Sequence, residues 1–110
     1  SLMSTYFRLS KPIPLEDIKN KCSFMVKINK KPNEQKYQWF IDENGNHLHW
    51  DINSDGMVTD IRKYGGNNAS YILFEIEQTF LCTAYSEHDK EYHIYQDPES
   101  NVITVNFKGM

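Results

Sequence analysis

The side chains able to do chemistry lie in three short stretches and at two isolated cysteines. His47, His49 and Asp51 recur at every second position. On a strand that spacing sends all three to one side, and two imidazoles with a carboxylate are a ligand set for a divalent metal. Asp42 stands across from His47 in the hairpin derived below, offering a fourth donor. The plainer account is a solvated strand face with an Asp42–His47 cross-strand pair, as in any antiparallel hairpin packed on one side only. The pattern favours that account, and metal or small-ligand binding through His47, His49 and Asp51 stands as the alternative.

Asp51-Ile52-Asn53-Ser54-Asp55-Gly56 carries oxygen donors at positions one, three and five of a calcium loop, then its glycine. Position twelve, where a bidentate Glu should close the shell, is Arg62. A cation there opposes the ion, and an Asx-rich turn after a strand accounts for the residues.

Glu87-His88-Asp89-Lys90-Glu91-Tyr92-His93 is the third stretch. Its carboxylates and imidazoles suit acid–base chemistry if folded into a cleft, but a loop of solvated charges needs no function. Because loops carry contacts more often than strands do, Glu87, His88, Asp89, Glu91 and His93 are the binding residues this sequence nominates.

Cys22 falls on an apolar helical face and Cys82 in a strand, and neither lies in a motif that would activate a thiol. Two distant cysteines make neither a disulfide framework nor a zinc ribbon. They read as reduced, buried small hydrophobes of a cytoplasmic protein. No nucleophile elbow, phosphate-cradling glycine loop or H-E-x-x-H occurs, so no catalytic residues and no cofactor are nominated.

At 110 residues, 39% hydrophobic and 14% aromatic, the chain is sized for one core and too rich in rings for disorder. No apolar run approaches the roughly 18 residues of a membrane span. Ser1-Leu2 ahead of Met3 reads as an expression scar, leaving a single domain over 3–110 of bacterial type. The net charge of −3 hides a split: residues 1–40 sum to +5 and residues 41–110 to −8. Inside one domain, two halves attracting each other is the simpler reading of such a split.

The elements that position these groups follow from periodicity. Thr5–Leu9 alternates as a strand, which Pro12 and Pro14 should stop. Leu15, Ile18 and Cys22 mark a helix over 14–22, with acids in its first turn and lysines in its last. Ser23–Ile28 alternates as a strand, and Asn29–Lys36 is a loop. Asn44-Gly45 is the pair preferred in a type I′ turn. Placing the turn there pairs Trp39 with Trp50 and Ile41 with Leu48, so that Tyr37, Trp39, Ile41, Leu48, Trp50 and Ile52 share one face. Met57–Tyr64 is a strand in which Val58 and Ile61 break alternation. Residues 69–80 fit either element, and length together with an Asn cap favours a helix over 68–80. Leu81–Tyr85, Tyr92–Gln96 and Val102–Phe107 close the sheet, the last two joined by a turn at Asp97–Ser100.

The expected fold is therefore α+β: a mainly antiparallel sheet of six or seven strands with two helices packed on one face. The expected function is a non-enzymatic protein-interaction module of immunity, inhibitor or adaptor type. Its partner is another protein, with a basic one favoured by the acidic second half, and a homodimer is allowed. Nucleic-acid binding through the lysine-rich 19–36 region ranks third. Net negative charge and few arginines oppose it.

Overall fold

The computed structural model describes residues 5–22, 38–40, 46–65 and 70–109. The expected strand 23–28, the loop 29–36, the Asn44-Gly45 turn, and the side chains of Tyr37, Trp39, Ile41 and Asp42 lie outside the described residues.

Among the described residues, seven strands and two helices run in the order β1 (Thr5–Pro14), α1 (Leu15–Cys22), β2 (Gln38–Phe40), β3 (His47–Ile52), β4 (Met57–Tyr64), α2 (Ser70–Thr79), β5 (Cys82–Ser86), β6 (Tyr92–Gln96) and β7 (Ile103–Phe107). The α+β class and the two helices stand. The strands do not form one sheet: five make an antiparallel sheet ordered β2-β3-β4-β1-β5, and β6 pairs with β7 alone. Without β2, the order β5-β1-β4-β3 with a helix in each crossover is the split β-α-β arrangement.

The core forms on the helix side of the larger sheet. Phe7, Leu9, Leu48, Trp50, Val58, Ile61 and Ala84 meet Ile18 of α1 and Ile72, Leu73, Ile76 and Phe80 from the α2 region. Helix α1 follows Pro14 and carries Glu16 and Asp17 in its first turn, complementing its dipole. The segment read as ambiguous between helix and strand is helical because Ile72, Ile76 and Phe80 repeat every four residues and are all buried.

The second sheet separates at the β5–β6 turn. Asp89 N donates to Ser86 O at 3.0 Å and Ser86 N to Lys90 O at 2.8 Å, with Asp89 in the left-handed region at φ 62°. This is the three-residue hairpin with a left-handed residue, whose bulge strengthens local twist. After the single bridge between Tyr85 and Glu91, β6 leaves the sheet. Ile94, Ile103 and Val105 then pack on the core beside α2, so the hairpin joins the helical layer.

Two pairings differ from expectation, and a third explains the expected break in alternation along β4. The strand Thr5–Leu9 runs on to Pro14, because its pairing with β4 breaks after Arg8 and resumes only at Ile13, which lets Pro12 sit where no ladder donor is required. In β4, Asp51 faces Asp60 while Ile52 faces Val58, so a bulge at Thr59 explains why Val58 and Ile61 can both be buried. In the hairpin, Trp39 pairs with Leu48 and Phe40 with His47, two residues from the register of a tight Asn-Gly turn. An even slip keeps each residue on its own face, and Leu48 and Trp50 are buried as expected.

Candidate functional site

The side of the larger sheet away from the helices carries the remaining alternation. Register puts His47, His49 and Asp51 of β3 beside Tyr64, Arg62 and Asp60 of β4. Tyr6 and Arg8 of β1 follow, then Tyr85 and Thr83 of β5.

These side chains form one connected network. Arg62 Nε donates to Asp51 Oδ2 at 2.9 Å, and the guanidinium lies 5.4 Å from the Tyr6 ring centre. Tyr6 stacks on Tyr85 at 5.1 Å with the planes 20° apart. Arg8 sits 5.6 Å from the Tyr6 ring and 5.9 Å from that of Tyr85, while its Nε donates to Asp60 Oδ1 at 3.3 Å. Thr59 Oγ1 fixes the other oxygen of Asp60 at 2.9 Å. Beyond Arg62, Tyr64 stacks on His47 at 5.4 Å and meets His49 edge-on at 5.9 Å. Tyr6 Oη donates to Asp89 Oδ1 at 2.5 Å across 83 positions of sequence, latching the β5–β6 turn onto the face.

The electrostatics follow from these contacts. The hydrogen bond to Asp89 raises the Tyr6 phenol above its ordinary pKa, since ionisation would set two anions together. Asp60 raises Arg8. Burial is the strongest single influence on Arg62 and works against its charge, but the hydrogen bond to Asp51, the charge of that carboxylate and Tyr64 together outweigh it, and the net shift is upward. Both guanidiniums are thus fixed cations held by carboxylates and tyrosine rings.

The nominated residues divide. Asp89 belongs to the network. Glu87 and His88 stand exposed at the turn, 3.7 Å apart. Glu91 instead accepts from Lys108 Nζ at 2.6 Å. His93 lies on the outward side of β6, stacked on Tyr95 at 6.1 Å.

His47 does not face Asp42 as expected; register sets Phe40 there, because the pairing has slipped by two. Asp51 is engaged by Arg62, and among the described residues no three His, Cys, Asp or Glu side chains cluster so as to hold a metal. The half calcium motif resolves into an Asx turn: Asn53 Oδ1 accepts from the amides of Asp55 and Met57 at 2.9 and 3.0 Å, with Gly56 at φ 76°.

A second titratable group lies among α2, β5 and β6. Burial raises the Glu77 carboxyl, and the charge of His93 opposes the rise. Burial, reinforced by Glu77, pushes the Cys82 thiol up to about 12. A thiol at that value is protonated at neutral pH and is no nucleophile.

Sequence reasoning missed Tyr6, Arg8, Asp60, Arg62, Tyr64 and Tyr85 as a site. Alternation set Tyr6 and Arg8 opposite Phe7 and Leu9, but only the placement of β1 between β4 and β5 shows what they meet. Among the described residues no helix is long and apolar enough to cross a membrane. The fold is thus a split β-α-β sheet with an added hairpin and a ring-and-guanidinium open face. Comparison with protein-family models, curated proteins and solved structures yields no match.

Proposed function

We propose that the chain is a cytoplasmic, non-enzymatic protein-interaction module whose partner docks on the open face of the five-stranded sheet, with the Glu87–Lys90 turn at its rim. The observation that carries this reading is the Tyr6–Asp89 hydrogen bond, which joins the turn to a face built from Tyr6, Arg8, Arg62 and Tyr85. Tyrosine and arginine are enriched at the energetic centres of protein interfaces. Side chains already fixed to one another lose little further freedom on binding, which favours affinity. Free Cys82 accords with a reducing compartment.

The charges favour a basic partner. Two guanidiniums, Arg8 and Arg62, are answered by Asp51, Asp60 and Asp89, and Glu87 adds a further acid beside them. A surplus of carboxylate steers cationic surfaces inward and repels phosphate chains. Stacking a base on Tyr6 would require displacing Arg62 or Tyr85, because the residue is only 7% exposed.

The test is quantitative binding by a partner captured with the intact chain and then purified. Calorimetry should give about a tenfold or greater loss of affinity for Asp51→Lys, which reverses an acid of the face, and for Tyr85→Ala. Glu75→Ala, on the exposed side of α2, should bind normally. Unchanged binding by both face variants sinks the reading. Salt-sensitive binding of single-stranded oligonucleotides that Arg8→Glu abolishes would replace it with nucleic-acid recognition.

A further inference from the structure

Strand β7 has one paired edge and one open edge. Asp97 N donates to Val102 O, and Lys108 N donates to Glu91 O, each at 2.9 Å. Hydrogen-bonded rungs alternate with non-bonded ones in an antiparallel ladder. The bonded rungs between those two contacts are therefore Tyr95 with Thr104 and His93 with Asn106. Ile103, Val105 and Phe107 must then turn their N–H and C=O groups away from β6. Among the described residues, β7 pairs with no strand but β6.

Natural sheets blunt such an edge with proline, a bulge or charge within the strand. Ile103–Phe107 has none of these, and its five rungs run without a register shift. The outer edge of the larger sheet is treated differently, since β5 is bridged to Glu91 just before the turn. A two-stranded ribbon is also the least stable sheet, so an added strand has most effect here.

We infer that β7 pairs antiparallel with β7 of a second copy of this chain, about a two-fold axis at Val105, making a four-stranded sheet ordered β6-β7-β7-β6. The site is separate from the docking face and does not depend on it. Three observations select this occupant. The outward-turned amides belong to odd-numbered residues, and pairing Val105 with the partner's Val105 sets Ile103 against the partner's Phe107, odd against odd. The core-facing side chains of both copies then fall on one side of the joined sheet, and Thr104 and Asn106 on the other. The same register sets Val102, 56% exposed, beside the alkyl stem of the partner's Lys108.

The register makes the test specific, because Thr104 stands across from the partner's Asn106 in two equivalent rungs. Sedimentation equilibrium on the full chain should show a dimer. Thr104→Lys/Asn106→Lys opposes like charges in both rungs and should raise the dissociation constant roughly tenfold or more. Thr104→Lys/Asn106→Glu pairs opposite charges at the same positions and should remain dimeric. Amide exchange separates a lost edge from a lost hairpin. In the wild type, Ile103, Val105 and Phe107 should be protected. In the Lys/Lys variant they should exchange freely, while Thr104 and Asn106 stay protected by β6. A wild-type monomer up to about 1 mM overturns the inference. So does equal association of the two double variants, or free exchange at Ile103, Val105 and Phe107 in the wild type.

Discussion

Tyr6→Phe removes one oxygen and leaves the ring against Arg62 and Tyr85, so it isolates the latch to Asp89. A hydrogen bond to a charged group contributes about 1.5–3 kcal/mol net, but Asp89 is exposed and water replaces the lost donor, so about 1 kcal/mol is expected here. Asp89 also holds a left-handed backbone at φ 62°, which Asp tolerates less well than Gly. Asp89→Gly therefore loses about 1 kcal/mol of hydrogen bond and regains about 0.5–1 kcal/mol of backbone strain, coming out near neutral. In a Tyr6→Phe background the hydrogen bond is already gone, so Asp89→Gly should stabilise by about 0.5–1 kcal/mol. The coupling between the two changes is then about 1 kcal/mol. Urea unfolding resolves it: with a slope of about 1–2 kcal/mol/M, Tyr6→Phe lowers the midpoint by roughly 0.5–1 M. Should Asp89→Gly have the same effect in both backgrounds, the two side chains are uncoupled and the latch does not hold the turn to the face.

Ile76 is fully buried on α2, and Ile76→Ala should destabilise by about 2–4 kcal/mol in the same assay, whereas a loss below about 1 kcal/mol would remove α2 from the core. The sign for Glu77 follows from burial, which raises its folded pKa. The stability tied to its protonated form is present below the ordinary carboxylate pKa and is lost as pH rises through the raised value. Glu77→Gln should accordingly melt higher than wild type at about pH 8 and lose that advantage near pH 4, and an advantage independent of pH would assign the gain to packing instead. With its thiol at about 12, Cys82 in a Cys22→Ser background should alkylate about a thousandfold more slowly than an ordinary free thiol until denatured, and fast labelling of the folded chain would contradict its burial.

Faces were more legible than partners, for a reason visible in the hairpin. Alternation along β3 and the expected hairpin both set Leu48 and Trp50 on the apolar face, and both are buried. The proposed turn then fixed a register, and the register is off by two, because Asn44-Gly45 reports a turn preference while β3 is also held by β4, with Trp50 against Ile61. Where strands diverge was not legible either. The described strands were each legible from alternation, but β6 leaves the sheet because of the left-handed Asp89, a backbone state that several residue types can adopt.

The open face follows the same rule. Period two places Tyr6 and Arg8 opposite Phe7 and Leu9, and it does so whatever strand lies beside them. Whether those two become solvated surface or the middle of a network depends on β1 being central, a property of the crossovers through α1 and α2. Arg62 then reaches Tyr6 from β4, and Asp89 reaches it from a turn 83 residues away. A motif search looks for chemistry within a few residues and so selected His47, His49 and Asp51. Their row lies on the right face, but its acid belongs to Arg62. The side chains that define this surface are ordinary in type and scattered in sequence, and only the strand order makes them neighbours. For a sheet-face site in a split β-α-β fold, the informative unit in sequence is therefore the set of outward positions on the two central strands, here Tyr6, Arg8, Asp60, Arg62 and Tyr64, taken together.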